Sequence, residues 1–502
     1  MKNFIFHNPT KIIFGKNEIS NIGNEIAKND IKKVLLVSGS GSIKKNGVYQ
    51  QTVNSLRESG IEWAEFWGVT PNPVLSHARE GCESAKKEGV EAILAVGGGS
   101  VIDECKAIAA GYYLDDVWSA YDKSAKVEKS LPIFTVLTLS ATGSEMNAFS
   151  VLTNAEEKKK WAMGGKSLYP VCSIIDPEVQ SSLPWRQTAN GAVDTLSHIM
   201  EVYFNGGDSE VTLAIDESMM RTVISSISRL QKDEKDYDAR ANLAWTATMA
   251  LNGISGLGLG GGEWAVHRIE HGLSAVFPHV AHAEGLAVLF PAWIKYVSEV
   301  NPEHFTRWAK NVWNADSIIE GVNKMKLNFH NWKAPVTLGE LDIPESRIEE
   351  IADNTMLLGE FGSMKIRHMG YDFEALQGVI KDMISNLDLT VESMNKMRKI
   401  ELDENQQFEF AKKLLDIRVE GTDNMYKEDQ IGDILVPQRK EDFGDDLWSV
   451  FNRVQENIVE GNFKYYNAKT LGSERQARPI KNFKQDMDVN KKLFSAALEY
   501  AV

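Results

Sequence analysis

The chain has 502 residues, of which 43% are hydrophobic and 25% charged, a balance that excludes disorder for the bulk of it. Three widely spaced cysteines, Cys82, Cys105 and Cys172, exclude a disulfide scaffold and any CxxC zinc spacing, and point to a reducing compartment. The net charge of −15 excludes attraction of nucleic acid or anionic lipid through the overall field, and the N-terminal MKNFIFHNPTKIIFG lacks the h-region of a secretory signal, so a cytoplasmic protein is expected.

In chain order, Lys33-Val34-Leu35-Leu36-Val37 predicts a buried strand, closed by the turn Ser38-Gly39-Ser40-Gly41-Ser42. Residues 92–96 predict a second strand, followed by Gly97-Gly98-Gly99-Ser100, and residues 132–137 and 171–175 predict a third and a fourth. Helical periodicity fills the intervals, as at 81–87 and 101–110. Such alternation predicts an α/β fold with a mostly parallel sheet covered on both faces. After Pro184 strand-like runs almost vanish, and 187–204, 210–230 and 237–251 predict helices. A division near residue 183 is expected, with an all-helical region after it. The most apolar later segment, 272–293, contains His279, His282 and Glu284 and is no membrane span. From about residue 366 the composition changes again: a Glu/Asp/Gln-rich helical stretch at 401–415, an acidic loop at 441–446, a helix at 448–458, and a stretch at 464–492 with eight basic and three acidic residues.

Histidine is unevenly placed. Five of the ten histidines lie between 198 and 282, four of them between 267 and 282. Asp194 and His198 are spaced i, i+4 in a helical stretch, which puts carboxylate and imidazole on one face. His267 and His271 repeat that spacing, and His282 follows a turn containing Pro278. Any one of these histidines alone would ordinarily be a hydrogen-bonded core or surface residue. Together with Asp194 they favour a divalent-metal site suited to Fe²⁺, Zn²⁺, Co²⁺ or Mn²⁺.

The second constellation is Gly97-Gly98-Gly99-Ser100 between strand and helix. Missing side chains let a phosphate approach the backbone, and a helix N-terminus offers free N–H groups. It is not GxGxxG, and a simple tight turn accounts for it equally well. The turn at 38–42 is another candidate for phosphate or ribose. The hydroxyl-rich Thr138-Leu139-Ser140-Ala141-Thr142-Gly143-Ser144-Glu145 follows the third strand, where open α/β sheets bind ligands.

These residues bring a family into view. GGGSVID (97–103), LTLSATGSEMN (137–147), AVDTLSH (192–198) and HRIEHGLSAVFPHVAHAEGLAVLFP (267–291) resemble the motifs of the iron-containing (group III) alcohol dehydrogenases, in the butanol dehydrogenase branch, over residues 1 to about 365. The resemblance implies an N-terminal dinucleotide-binding parallel-sheet domain (1–183) and an all-helical metal-binding domain (184–365), and a homodimer is expected. It implies Fe²⁺, or Zn²⁺ in its place, held by Asp194, His198, His267 and His282, with His282 preferred over His279. His271 would relay the proton. Gly97, Gly98, Gly99 and Ser100 would hold the pyrophosphate, with Gly39, Ser40 and Ser42 beside it. Asp103, Thr138, Leu139 and Thr142 would line the nicotinamide and its ribose, and Lys160 would reach the adenosine ribose. Glu270 and Glu145 are candidate partners of the ligands, with ordinary salt bridges as the competing reading. Trp264, Phe149 and Leu259 are candidates for an apolar substrate wall. The implied reaction interconverts small primary alcohols and aldehydes. No carboxylate stands in 38–42, and Lys44 and Lys45 follow it, so NADP(H) is expected over NAD(H).

The remaining chain, 366–502, is a mostly helical extension. LWSVFNRVQENIVEGNF (447–463) and RPIKNFKQDMDVNKKLFSAALEYA (478–501) resemble the C-terminal part of a phage- and plasmid-associated family of unknown function. Its basic residues Lys464, Lys469, Arg475, Arg478, Lys481 and Lys484 lie near Phe463, Tyr465, Tyr466 and Phe483, a pattern that fits nucleic-acid contact as well as a solvated helical surface or a joined gene fragment. The alternative function is therefore a mobile-element-associated binding protein that carries a dehydrogenase body.

Overall fold

The computed structural model describes residues 1–356 apart from 205–206, 263 and 299–301. The expected extension 366–502, with its helices, acidic loop and basic stretch, lies outside the described residues.

The strands are β1 Lys11–Phe14, β2 Lys33–Ser38, β3 Glu62–Trp67, β4 Ala92–Gly98, β5 Ile133–Leu139, β6 Phe149–Asn154, β7 Lys159–Gly164 and β8 Cys172–Ile175. The helices before residue 185 are α1 Ile22–Ala27, α2 Ser42–Lys45, α3 Val48–Glu58, α4 Leu75–Glu88, α5 Gly99–Gly111 and α6 Trp118–Tyr121. After it come α7 Trp185–Tyr203, α8 Glu210–Leu230, α9 Tyr237–Ala250, α10 Ala265–Val276, α11 His282–Val297, α12 Pro302–Trp313, α13 Ile318–Asn331 and α14 Ile348–Met356.

Six strands form one parallel sheet in the order β1-β8-β5-β4-β2-β3, and β6 and β7 form a separate antiparallel pair. The four strands expected from apolar runs are the central ones. Both their faces are buried: Leu35 and Val37 join Ile93 and Ala95 under α4 and α5, while Val34 and Leu36 join Leu94 and Val96 on the other side. Strands covered on both faces read as continuous apolar runs. The two edge strands, β1 and β3, carry only exposed and half-buried residues, which is why no apolar run announces them.

Chain order makes β4 the point where the sheet reverses. From β2 the chain moves outward to β3, and from β4 it moves the other way to β5. The turns 38–42 and 97–100 thus stand side by side at the carboxyl ends of β2 and β4, and the loop 140–148 leaves β5 beside them. Ligands of open α/β sheets bind at such a reversal.

Close backbone approach fixes how the helices meet this edge. A Cβ at Gly191 of α7 would lie 2.4 Å from the Ser140 carbonyl oxygen, and one at Gly285 of α11 would lie 2.8 Å from Glu270 Cγ of α10. A Cβ at Gly272 of α10 would lie 2.3 Å from Thr355 Oγ1 of α14. Gly191 is one turn before Asp194, so this contact sets the height of Asp194 above the β5 loop. Gly191→Ala should force α7 away from residues 138–142 and cost about 1–3 kcal/mol, measurable as a lower midpoint in urea.

Candidate functional site

Helices α7, α10 and α11 bring Asp194, His198, His267, His271 and His282 to one place. Asp194 Oδ1 lies 3.8 Å from both His198 Nε2 and His282 Nε2. One ligand atom each of Asp194, His267 and His282 falls within 4.8 Å of the others. The His198 and His267 rings stack with centroids 4.9 Å apart, and those of His267 and His282 are 5.3 Å apart. His279 stays outside: its Nε2 is 3.1 Å from the Leu341 carbonyl oxygen.

Carboxylates set the orientation of two imidazoles. Glu201 Oε1 accepts from the His267 backbone N–H at 2.9 Å and from Nδ1 at 3.1 Å. A proton held on Nδ1 leaves the Nε2 lone pair facing the cluster. His282 Nδ1 is likewise bonded to Glu270 Oε2, which turns its Nε2 towards Asp194. Asp194 Oδ1 and His267 Nε2 are buried and have no hydrogen-bond partner. Inward-facing oxygen and imidazole nitrogen atoms with outer carboxylate support fit a first-row divalent ion.

Glu201 escaped the sequence reading. Its signal was the spacing i+3 from His198 on the same helix. Glu145, the other candidate partner, is engaged elsewhere, accepting from Thr248 Oγ1 at 2.6 Å. Lys160, expected at the adenosine ribose, has its ammonium within this network. It donates to Glu270 Oε2 at 3.1 Å and Ser274 Oγ at 2.9 Å, with His282 Nδ1 at 3.3 Å.

Burial governs the protonation states. It pushes the His198 imidazole down to about 4. Burial, with the Lys160 charge, also holds His271 well below the usual imidazole range. Burial alone would raise the Glu270 carboxyl, but His282 and Lys160 beside it hold it well below the usual carboxylate range. The imidazoles of His198 and His271 are therefore neutral near pH 7 and next to an ionised carboxylate.

Glu284 fixes the start of α11, and so His282. It accepts from the Ala281 backbone N–H at 3.3 Å and takes both arms of Arg186 of α7, at 2.5 and 2.8 Å. Trp264 precedes α10 with φ 59°, a left-handed conformation rare for a bulky side chain. It sets the indole 5.2 Å from the His267 ring, centroid to centroid.

The cluster closes one end of a cleft of about 610 Å³. His198, His267, His271 and His282 line it, and so do Ser100, Asp103, Thr142, Ser144 and Lys160 from the coenzyme-side expectations. Phe149, Trp264 and Leu251 supply apolar wall, whereas Leu259 is fully buried and is not part of the lining. Gly39, Ser40, Ser42, Gly97, Gly98, Gly99, Thr138 and Leu139 lie at the carboxyl edge of the sheet without lining the cleft. Gly99 is packed against Thr142, whose Oγ1 would be 2.3 Å from a Cβ there. Asp103 is committed to the loop after β5: its two oxygens accept from Ser144 Oγ at 2.6 Å and the Val151 N–H at 3.0 Å. Lys44 stands over the Trp67 ring, 3.9 Å from its centroid.

The model of the family described as "Iron-containing alcohol dehydrogenase" matches residues 9–177, and that of the "Fe-containing alcohol dehydrogenase family, C-terminal" matches 188–369. A third, "Domain of unknown function (DUF932)", matches 351–494. The chain is 40% identical over 375 residues to the probable NADH-dependent butanol dehydrogenase 1 of Bacillus subtilis, covering 73% of this chain and 96% of that one. It is 35% identical over 333 residues to the NADPH-dependent aldehyde reductase YqhD of Escherichia coli, covering 65% and 84%. The crystal structure of NADH-dependent butanol dehydrogenase A from Thermotoga maritima superposes with a TM-score of 0.74 at 50% identity, covering 77% of this chain and 99% of that one. Among the described residues, no helix is long and apolar enough to cross a membrane.

Outer-shell partners of metal-bound histidine typically contribute 10–100-fold to affinity. Glu201→Gln should therefore weaken divalent-metal retention by about that factor, read by equilibrium dialysis against Zn²⁺.

Proposed function

The chain belongs to the iron-containing alcohol dehydrogenases, oxidoreductases acting on alcohols, and from that membership we propose that it interconverts primary alcohols and aldehydes with NADP(H) at a site holding Fe²⁺ or Zn²⁺. In this reading residues 1–183 carry the coenzyme, residues 184–365 carry the metal, and the chain works as a homodimer. Asp194, His198, His267 and His282 hold the ion. The observation that carries the proposal is the convergence of Asp194 Oδ1 and His267 Nε2, both buried without a hydrogen-bond partner, at one end of a cleft whose other side is lined by Ser100, Asp103 and Thr142.

When bound, the ion supplies Lewis acidity towards the substrate oxygen, and the nicotinamide takes or gives the hydride. The chain does the rest. Glu201 and Glu270 keep the proton of His267 and His282 on Nδ1 and aim Nε2 inward. His271, neutral and with its ring 5.5 Å from that of His282, takes up the proton lost by the alcohol and passes it outward. Phe149, Leu251 and Trp264 receive an alkyl chain. Each buried methylene contributes only about 0.8 kcal/mol, so chain-length selection is shallow.

The relatives named above divide between NADH and NADPH, so the chain's own loop carries the coenzyme proposal. The turn after β2 has no carboxylate to accept from a ribose 2′-OH or repel a 2′-phosphate, and Lys44 and Lys45 are the charges that follow it.

An anaerobic assay of butyraldehyde reduction with defined Fe²⁺ or Zn²⁺ tests these points together. His267→Ala should lose both bound metal and turnover; full activity at unchanged metal content overturns the ligand set. The kcat/KM should be clearly higher with NADPH, because no carboxylate in the turn repels a 2′-phosphate. A clear NADH advantage overturns the coenzyme part alone.

The alternative reading rests on the extension, matched by the domain of unknown function and carrying the basic stretch 464–492. A chain ending after Lys365 should keep full dehydrogenase activity. If the extension binds nucleic acid, the full chain should retain an oligonucleotide with steep salt dependence and the shortened chain should not.

A further inference from the structure

Lys106 is one of the few fully buried lysines of the described residues and takes no part in the site above. It sits on α5, seven residues after Gly99, with no exposed surface. Its three N–H groups are shared among four acceptors, all on one stretch of chain. These are the Ser144 carbonyl at 2.7 Å, Ser144 Oγ at 2.8 Å, Asn147 Oδ1 at 3.0 Å and the Phe149 carbonyl at 2.8 Å. Asp103, one turn earlier on α5, grips the same stretch, accepting from Ser144 Oγ and the Val151 N–H. The Ser144 hydroxyl therefore accepts from Lys106 while donating to Asp103. From this we infer that Lys106 is a positioning residue that clamps the loop 142–149 and thereby sets the distance between the coenzyme-side floor of the cleft and its apolar wall.

The loop joins two parts of the cleft. At one end Thr142 packs on Gly99; at the other Phe149 forms the wall and is 55% exposed. Between them Ser144 and Asn147 line the cleft. The Ser144 carbonyl and the Phe149 carbonyl, the latter at the first residue of β6, both accept from this one buried cation. A neutral side chain of similar length would leave these acceptors without their donor, and the loop would relax towards the cleft.

Burial pushes the Lys106 ammonium down to about 8, against the opposing charges of Asp103 and Glu145 and beside Cys105. The folded chain thus binds this proton less tightly than the unfolded chain does. Between about pH 8 and the unfolded value, the unfolded state holds more protons, so this group's contribution to stability rises with pH rather than falling. Loss of the proton leaves two N–H donors and a lone pair facing the same acceptors, which weakens the clamp.

The inference rests on the dehydrogenase reading, and the experiment keeps the two apart. With the full chain, coenzyme dissociation constants are measured by fluorescence without turnover, and KM and kcat for butyraldehyde at saturating coenzyme. Absence of turnover in the unsubstituted chain with either coenzyme would sink the dehydrogenase reading itself. Given an active parent, Lys106→Met should raise the coenzyme dissociation constant and the aldehyde KM about tenfold each, at unchanged bound metal. Lys106→Arg should restore both to within threefold. In the parent, coenzyme affinity should fall several-fold from pH 7 to 9.5 while the melting temperature does not fall in step; this measurement needs no variant and decides the matter should Lys106→Met not fold. Constants in Lys106→Met within twofold of the parent, or a parent affinity flat across that pH range, would overturn the assignment.

Discussion

The arrangement depends on imidazoles being turned by carboxylates behind them. Glu201 holds Nδ1 of His267, and Glu270 holds Nδ1 of His282. Each therefore presents Nε2 towards Asp194. Without those carboxylates the rings could take either tautomer, and a ligand set of the right composition would lack direction. The outer carboxylates are in turn held. Glu270 is fully buried, and its Oε2 meets both the Lys160 ammonium and His282 Nδ1; a buried carboxylate stays ionised only when its charge is met. Lys160 lies on β7, so the hairpin of the sheet region reaches across to α10. The ammonium is thereby a joint between β7 and α10.

Glycines translate this orientation into distance. Gly191 lets α7 rest on the Ser140 carbonyl, Gly285 lets α11 approach Glu270, and Gly272 lets α10 approach Thr355. A methyl group at any of them would meet backbone or a buried side chain. The consequence is a fixed spacing between the Asp194 carboxylate and the β5 loop, with the Arg186–Glu284 pair tying α7 to the first turn of α11. Packed interiors transmit such steric limits because they contain little free volume.

The sequence made some of this legible and hid the rest for physical reasons. Strands β2, β4, β5 and β8 are buried on both faces and show as apolar runs; β1 and β3, at the edges, do not. The helical spacing of Asp194 with His198 placed two side chains on one face, and the clustering of histidines led to the others. Glu201 was hidden because a glutamate in a helix ordinarily faces water. Only its spacing from His198 could have marked it. Lys106 was hidden for a related reason, although its setting in the apolar Cys105-Lys106-Ala107-Ile108-Ala109-Ala110 was a signal. A helix apolar on every side is buried on every side, so its one lysine must find acceptors inside. The role of Lys160 turns on a fold contact between β7 and α10 that no local pattern encodes.

Helix α5 then has two tasks that constrain each other. Its first residue, Gly99, forms the turn at the reversal of the sheet, where open α/β sheets bind ligands. Its next turns carry Asp103 and Lys106, which fix the loop forming the cleft wall. A shift of α5 would move both at once, so the glycine turn and Phe149 keep their separation even if the sheet edge moves. On the opposite side, α7, α10 and α11 are tied to one another by Glu201, Glu270 and Glu284. The proposed hydride transfer requires that two such rigid groups meet at a set distance, since misplacement of about 1 Å can cost about 10²-fold in rate. The two groups touch through buried contacts, Gly191 on Ser140 and Lys160 on Glu270. The spacing between the β5 loop and the histidine cluster is thus set by side chains and backbone that water does not reach.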